Sequence, residues 1–408
     1  MFEVRSADDC AATRRSVRVL PPLSVETSVS HPTQKRPVDT VQKKEDRSAR
    51  STPPYWVNRL ARPDEQGPIL ELVRAVHGDS YLELDDAYFR WRYLNDTPFR
   101  ASVMLSEYEG RPIGIQPIAI FDWKWGSAAL KGAMYTGVLT HPDHRRRGVF
   151  RSLIDSSNEH AAQVGAQFIM TLPNDASLPG FQRFGDWQYP GLISLMLKVV
   201  DPRAAMRDAG FQPLGTILQW MPAVAFRRRR AGSGNGGLSM ERVTEFPGEL
   251  DFAADQFADH IGSMMIRRTS AYLNWRYAAR PESAYQLFLA RRGSDVVGAV
   301  VTSHGVRGRI KVGMIVDLVS RADEAVIRNL IRFAENDLRQ RGFGLVTCQA
   351  TSPALLQALR FEGFRNGPPS VIRKRFHFVY RRTGIVGLPH DPSSLSNWHL
   401  TFGDSDNA

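Results

Sequence analysis

Three consecutive arginines, Arg145, Arg146 and Arg147, stand directly before Gly148. The run ahead of them ends at Thr140 and turns through His141, Pro142 and Asp143; a helical pattern opens at Val149. A helix start leaves backbone N–H groups without intrahelical acceptors, and the helix dipole adds partial positive charge there. Such an end binds phosphate through backbone alone. Gly148 has no Cβ, so an anion can approach the chain closely. The arginines add charge-assisted hydrogen bonds and attract an anionic ligand from a distance. The chemistry that suits this segment is the holding of a pyrophosphate.

The elements that must position the loop follow from periodicity. Order begins at Tyr55, Trp56 and Val57, and an amphipathic helix runs through Ile69, Leu70, Leu72, Val73 and Val76. Asp85 and Asp86 can cap the next helix, which carries Tyr88, Trp91, Arg92 and Tyr93. Residues 102–108 and 113–121 alternate as a hairpin about Glu109 and Gly110, and 130–140 reads as one long strand. A helix over 149–164, a strand over 167–172, a short helix over 176–184 and a closing strand over 193–200 complete the unit. The expected class is α/β, with a mixed, mostly antiparallel central sheet flanked by helices.

A second unit repeats the first. Tyr272, Trp275, Arg276 and Tyr277 each stand 184 residues after Tyr88, Trp91, Arg92 and Tyr93. Val297-Gly298 stands at the same distance from Ile113-Gly114, and Leu330-Ile331 and Gly342 align with Leu153-Ile154 and Gly165. The expected layout is two tandem domains over 54–200 and 238–381, a linker over 201–237 and a tail over 382–408. The linker holds an apolar stretch at 214–226, then Arg227 to Arg230 and a glycine-rich run. Where the first unit has its basic loop, the second reads Ser320-Arg321-Ala322-Asp323-Glu324; acidic groups at a helix start repel phosphate. Phosphate binding is therefore expected in the first unit only. Asp317 reads as a structural carboxylate or as a holder of a substrate amine.

Composition bounds the rest. Among 408 residues, 53 Lys and Arg outweigh 42 Asp and Glu, and the net charge of +11 attracts polyanions without choosing among them. There is no motif for reading nucleic acid. Residues 1–53 hold ten basic and seven acidic residues with few periodic apolar ones, as in a disordered extension. No signal pattern opens the chain and no run approaches the roughly 20 apolar residues of a membrane span, so a cytoplasmic location is expected. The 214–226 segment packs between domains or rests on an anionic membrane surface. Cys10 and Cys348 sit in unlike contexts, which excludes a disulfide framework; Cys348 reads as a buried structural thiol. His141 and His144 lack a third ligand, so no metal is expected.

The motif Arg145-x-x-Gly148-x-Phe150, after a strand and Pro142, resembles the Arg/Gln-x-x-Gly-x-Gly/Ala loop of the GNAT N-acetyltransferase superfamily. From about residue 55 to the tail beginning at Trp398, the chain resembles tandem bacterial GNAT proteins associated with cell-surface polysaccharide or amino-sugar modification. The resemblance implies an acyl-CoA-dependent N-acyltransferase that uses acetyl-CoA. Its pyrophosphate would lie on Arg145, Arg146, Arg147, Gly148, Val149, Phe150 and Arg151. Its pantetheine would pair with the backbone of Val138, Leu139 and Thr140, where this strand splays from the next. Phe150 departs from the small sixth residue of the pattern. Asn174 corresponds to the family's asparagine near the thiol; a helix cap is its other reading. The family's proton-donating tyrosine falls on Phe181, four residues before Gly185, and phenylalanine cannot donate. Tyr135 is the replacement candidate, a core aromatic its other reading. Asp143 and His144 read as surface or capping groups, which leaves the base unassigned. The tail is loose by composition and ordered by resemblance.

Two functional classes follow. One is transfer of an acetyl group to an amine acceptor such as an amino sugar or a polysaccharide precursor. The other, suggested by the vacant acid position and the degenerate second unit, is a non-catalytic sensor of CoA or a polyanion.

Overall fold

Period-two apolar runs lay down two sheets, and amphipathic helices bury their apolar stripes on them. The structure, a computed structural model, describes residues 55–79, 85–94, 99–184, 186–209, 237–281, 284–307, 310–367, 376–385 and 387–405. The 1–53 extension, the apolar and arginine-rich parts of the linker, and Gly185 lie outside the described residues.

The first half runs β1 (Val57–Leu60), α1 (Gln66–His77), α2 (Asp86–Phe89), β2 (Arg100–Tyr108), β3 (Arg111–Trp125), β4 (Ala128–Tyr135) and β5 (Leu139–Thr140). It continues through α3 (Val149–Gln163), β6 (Phe168–Thr171), α4 (Leu178–Arg183), β7 (Gln188–Leu192), β8 (Ser194–Val199) and α5 (Pro202–Ala209). The second half opens with β9 (Leu238–Val243), α6 (Leu250–Ile261), β10 (Met265–Ile266), α7 (Ser270–Leu273), β11 (Gln286–Arg292), β12 (Asp295–Arg307) and β13 (Ile310–Ser320). It closes with α8 (Glu324–Gln340), β14 (Leu345–Ala350), α9 (Pro353–Phe361), β15 (Arg365–Asn366) and β16 (His377–Arg382). The first sheet has the order β1-β2-β3-β4-β6-β16-β7, with β5 and β10 also on β3; the second is β15-β8-β14-β13-β12-β11-β9. Among the described pairs only β4–β6 and β13–β14 are parallel. This is the mixed, mostly antiparallel α/β architecture expected.

Two expectations are corrected. The strand over 193–200 does not close the first unit. Its core, β8, pairs with β14 in the second sheet, and β16 enters the first sheet between β6 and β7. The halves exchange their closing strands, so neither 54–200 nor 238–381 contains a whole sheet. Alternation marks a strand and its faces but not its neighbour, which only the tertiary contacts choose. The run over 130–140 is also not one strand. β4 stops at Tyr135, Gly137 takes φ +55°, and β5 resumes at Leu139. Ile118 faces Tyr135 while Ile115 faces Leu139, so one extra residue makes a bulge. The second unit carries the same device, with Thr302 facing Ile315 and Val301 facing Asp317.

The repeat is also visible at the level of atoms. Trp91 and Trp275 stack with ring centroids 5.1 Å apart, and each indole N–H donates to the other's carbonyl, at 2.7 and 3.2 Å. Gly114 and Gly298 occupy equivalent places under α3 and α8. A Cβ on Gly114 would lie 3.3 Å from the Leu139 carbonyl and 3.5 Å from Leu153; one on Gly298 would lie 2.7 Å from the Val319 carbonyl and 3.1 Å from Leu330.

The tail is ordered where described. β13 and β14 pair only as far as Ile315 and Cys348, then part. The tail lies against both strands beyond that point. The Leu400 N–H donates to Thr351 Oγ1 at 2.8 Å, and Thr351 donates to the Trp398 carbonyl. Buried Arg268 bridges Asp317 (2.9 Å) and Asp404 (2.7 Å). Asp317 also accepts from the Tyr277 hydroxyl at 2.7 Å. It is a structural carboxylate rather than a holder of a substrate amine, because its oxygens are spent inside the core. Cys348 is buried beside it, and burial pushes its thiol pKa up.

Candidate functional site

The basic loop is locked from below by β1. The Asn58 side chain donates to the Ser152 carbonyl (2.9 Å) and to Ser156 Oγ (3.0 Å), and the Trp56 indole donates to Ser152 Oγ (3.3 Å). Tyr55 shares a 2.9 Å hydrogen bond with His144 Nδ1, and Arg147 lies over the Tyr55 ring at 5.8 Å. Partial burial, followed by His141 and Arg147, holds the His144 pKa below its ordinary value. His141 Nδ1 accepts the Asp143 N–H at 3.3 Å, a local turn contact.

Above this base the chain passes through Arg146 at φ +60° and Gly148 at φ +94°, and Gly148 caps α3. A positive φ is cheap only for glycine, so Gly148 is set by backbone geometry as well as by the space over it. The first internal bond of α3 runs from the Ser152 N–H to the Gly148 carbonyl at 3.0 Å. The amides of Val149, Phe150 and Arg151 therefore point out of the helix start. Arg145, Arg146, Arg147 and Arg151 are exposed around it. The positive field extends to the end of α1, where burial and then Arg145 lower the His77 pKa.

Beside the loop, β5 bonds to β3 through Gly114–Thr140 and Ile115–Leu139, while β6 follows β4 only to Tyr135–Thr171. Beyond Thr171 the two strands part, so among the described residues β5 has no strand on its second edge. The edge carries Leu139 and Thr140, with Val138 in the bulge that precedes them. Opposite this bulge, fully buried Gln116 donates to the Thr136 carbonyl at 3.2 Å, and its Oε1 has no partner among the described residues. An open strand edge, an orphaned buried acceptor and a positive helix start in continuous array fit an extended ligand that ends in phosphates.

The remaining candidates are placed less favourably. Tyr135 is buried among Ile118, Ile154, Phe181 and Trp187, and its hydroxyl donates to Asn158 Oδ1 at 3.1 Å. Burial lifts its pKa well above the usual tyrosine value. It occupies the core position that was its other reading. Asn174 caps the turn into α4, its Oδ1 accepting from the Ala176 N–H (3.0 Å) and the Ser177 N–H (2.9 Å). Phe150 packs edge-on to Phe181 at 5.5 Å, over Gly180, where a Cβ would meet its ring at 2.7 Å. The bulky sixth residue is thus accommodated by a glycine thirty positions on.

The structure also assembles a cluster that the sequence does not announce. Buried His377, carried in on β16, has Nε2 2.7 Å from Asp175 Oδ1 and Nδ1 2.9 Å from the Tyr189 hydroxyl. These residues stand up to 202 positions apart. No motif links them, because the strand exchange alone brings them together.

Residues 58–189 match the family model of the acetyltransferase (GNAT) domain. Solved structures share the fold across both halves. A GCN5-related N-acetyltransferase from Anabaena variabilis ATCC 29413 is 13% identical, with a TM-score of 0.58 over 81% of this chain and 73% of that one. A conserved protein of unknown function and probable N-acyltransferase from Enterococcus faecalis V583 is 11% identical, with a TM-score of 0.57 over 80% and 73%. A GCN5-related N-acetyltransferase from Kribbella flavida is 14% identical, with a TM-score of 0.51 over 80% and 71%. At these identities the likeness is one of fold. No curated protein sequence matches the chain. Among the described residues no helix is long and apolar enough to cross a membrane.

Proposed function

We propose that the protein is an acyl-CoA-dependent N-acyltransferase that moves an acetyl group from acetyl-CoA to an amine, with an amino sugar or a cell-surface polysaccharide precursor as acceptor. The observation that carries this reading is the Gly148 turn, which opens α3 at the end of a strand edge that is unpaired among the described residues. The amides of Val149, Phe150 and Arg151 behind Gly148, with the side chains of Arg145, Arg146, Arg147 and Arg151, would hold the pyrophosphate. The backbone of Val138, Leu139 and Thr140 would align the pantetheine as an added strand. The bound coenzyme would present a thioester carbonyl at the fork where β4 and β6 part. Transfer then requires a neutral amine and a proton for the departing sulfur.

The second unit supports a single site. Asp323 caps α8 by accepting from the Ala325 N–H (2.8 Å) and the Val326 N–H (3.3 Å), so its helix start is already satisfied by a carboxylate. Its strand gap holds the tail.

Isothermal titration of the full chain with acetyl-CoA should give saturable one-to-one binding, and Gly148→Glu should abolish it while leaving the far-ultraviolet spectrum unchanged. Absence of binding by the unmodified chain would overturn the reading. Binding without thiol release across an amine panel would favour the sensor.

A further inference from the structure

The two halves differ at one place in their otherwise matching sheets, where β3 carries Gln116 and Pro117. We infer that this pair wedges the 136–138 bulge open, and so decides that the first half, and not the second, admits the extended arm of an acyl-CoA. The inference rests on the acyltransferase reading above and deepens it by naming the residues that shape the slot. Both act as positioning residues.

The duplication supplies the control. The β2–β3 and β11–β12 pairs keep one register at the 184-residue spacing. Met104 faces Gln116 as Phe288 faces Val300, and Val103 faces Pro117 as Leu287 faces Val301. On the opposite edge the halves diverge. Val300 pairs with Leu318 and Val301 with Asp317, so Val316 alone is left over. Gln116 and Pro117 have no such partners. Pairing stops at Ile115–Leu139 and resumes at Ile118–Tyr135, which leaves Thr136, Gly137 and Val138 opposite them.

Proline is the physical cause. The Pro117 carbonyl accepts the Thr136 N–H at 3.4 Å, so it faces β4. In extended chain a residue's nitrogen faces the same side as its carbonyl, and here that nitrogen has no hydrogen to give. The Thr136 carbonyl takes its donor from a side chain instead. Gln116 Nε2 lies 3.2 Å from it and 2.7 Å from the Pro117 carbonyl.

Two consequences point to a ligand. Gly137 and Val138 are half-buried and make no backbone hydrogen bond among the described residues, so the bulge offers donors and acceptors where the open edge of β5 begins. The other consequence is a cost. Gln116 is fully buried, its Nε2 is committed to two carbonyls, and its Oε1 is left without a partner among the described residues. Valine, as in the second half, avoids that cost; retaining it marks a group kept for a site rather than for packing. The second half, with its pairing intact here, fills its own gap with the tail.

The test gives the full chain the second half's residues, Gln116→Val with Pro117→Val. Affinities are measured for CoA and for adenosine 3′,5′-bisphosphate, which carries phosphates but no pantetheine arm. The CoA Kd should rise roughly tenfold or more, with the bisphosphate Kd changed by less than about twofold and the melting temperature not lowered. Gln116→Met keeps Pro117 and the length of the side chain, and decides the matter if the double variant does not fold. It should weaken CoA roughly tenfold, the scale of one buried hydrogen bond, again sparing the bisphosphate. By hydrogen exchange, the Gly137 and Val138 amides should gain protection on saturating CoA in the unmodified chain, and be protected without CoA in the double variant. A folded variant that binds CoA as the unmodified chain does, or one that loses both ligands equally, overturns the inference. An unmodified chain that binds neither ligand overturns the acyltransferase reading instead.

Discussion

At the residue scale, the site depends on pairs of positions that compensate one another. Phe150 breaks the small-residue pattern of the loop, yet it adds no crowding because Gly180 lies under its ring. Adding a single methyl at Gly180 would force the Phe150 ring to move, an overpacking cost of about 1–3 kcal/mol. Gly180→Ala should therefore lower the melting temperature and weaken acetyl-CoA binding, and Phe150→Leu in the same chain should recover most of both. Equal losses in the single and double variants would separate the two positions. Tyr135 shows the converse case. Its side chain is chemically able to donate a proton, but burial and Asn158 hold it in place.

At the element scale, the tail behaves as part of the second core. Buried His399 lies 2.8 Å from Ser352 Oγ through Nδ1, and burial, reinforced by Arg268, lowers its pKa from 6.5 to about 3. A base depressed in the folded state contributes stability above pH 6.5 that is progressively lost as pH falls toward 3. Glu335 opposes it. Burial, despite Lys198 at 2.6 Å, raises its pKa to about 7, so its contribution is full below about 4.5 and lost as pH rises through 7. Global melting mixes the two, and a local probe is needed. Amide exchange at Leu400 and Thr401, corrected for intrinsic rate, should accelerate as pH drops from 7 to 4. His399→Gln should flatten that dependence. Retention of the full pH dependence in that variant would assign it to another group.

At the scale of the whole molecule, the strand exchange couples the halves. β8 leaves the first half to complete the second sheet, and β16 returns to complete the first. A fragment over 54–200 would expose an unpaired β8 and an open edge on β6, conditions that favour aggregation. We expect that fragment to be insoluble alone and soluble when co-expressed with 201–408, checked by size-exclusion chromatography. A monomeric, cooperatively melting 54–200 fragment would contradict it. The residues from Arg145 to Gly148 were legible in the sequence, because a basic turn into a helix is local: charge, glycine and helix onset fall within a few positions. The duplication was legible too, since Trp91 and Trp275 recur at one spacing along with their glycine partners. The partner of each closing strand, the use of the tail as filling for the second gap, and the meeting of Asp175, Tyr189 and His377 were not. Each depends on which edge a strand finds in three dimensions, and the period of a strand fixes its faces without fixing its neighbour. The sequence by itself therefore determined the basic turn that opens α3, and the tertiary structure alone decided which strands and side chains, drawn from both halves, meet.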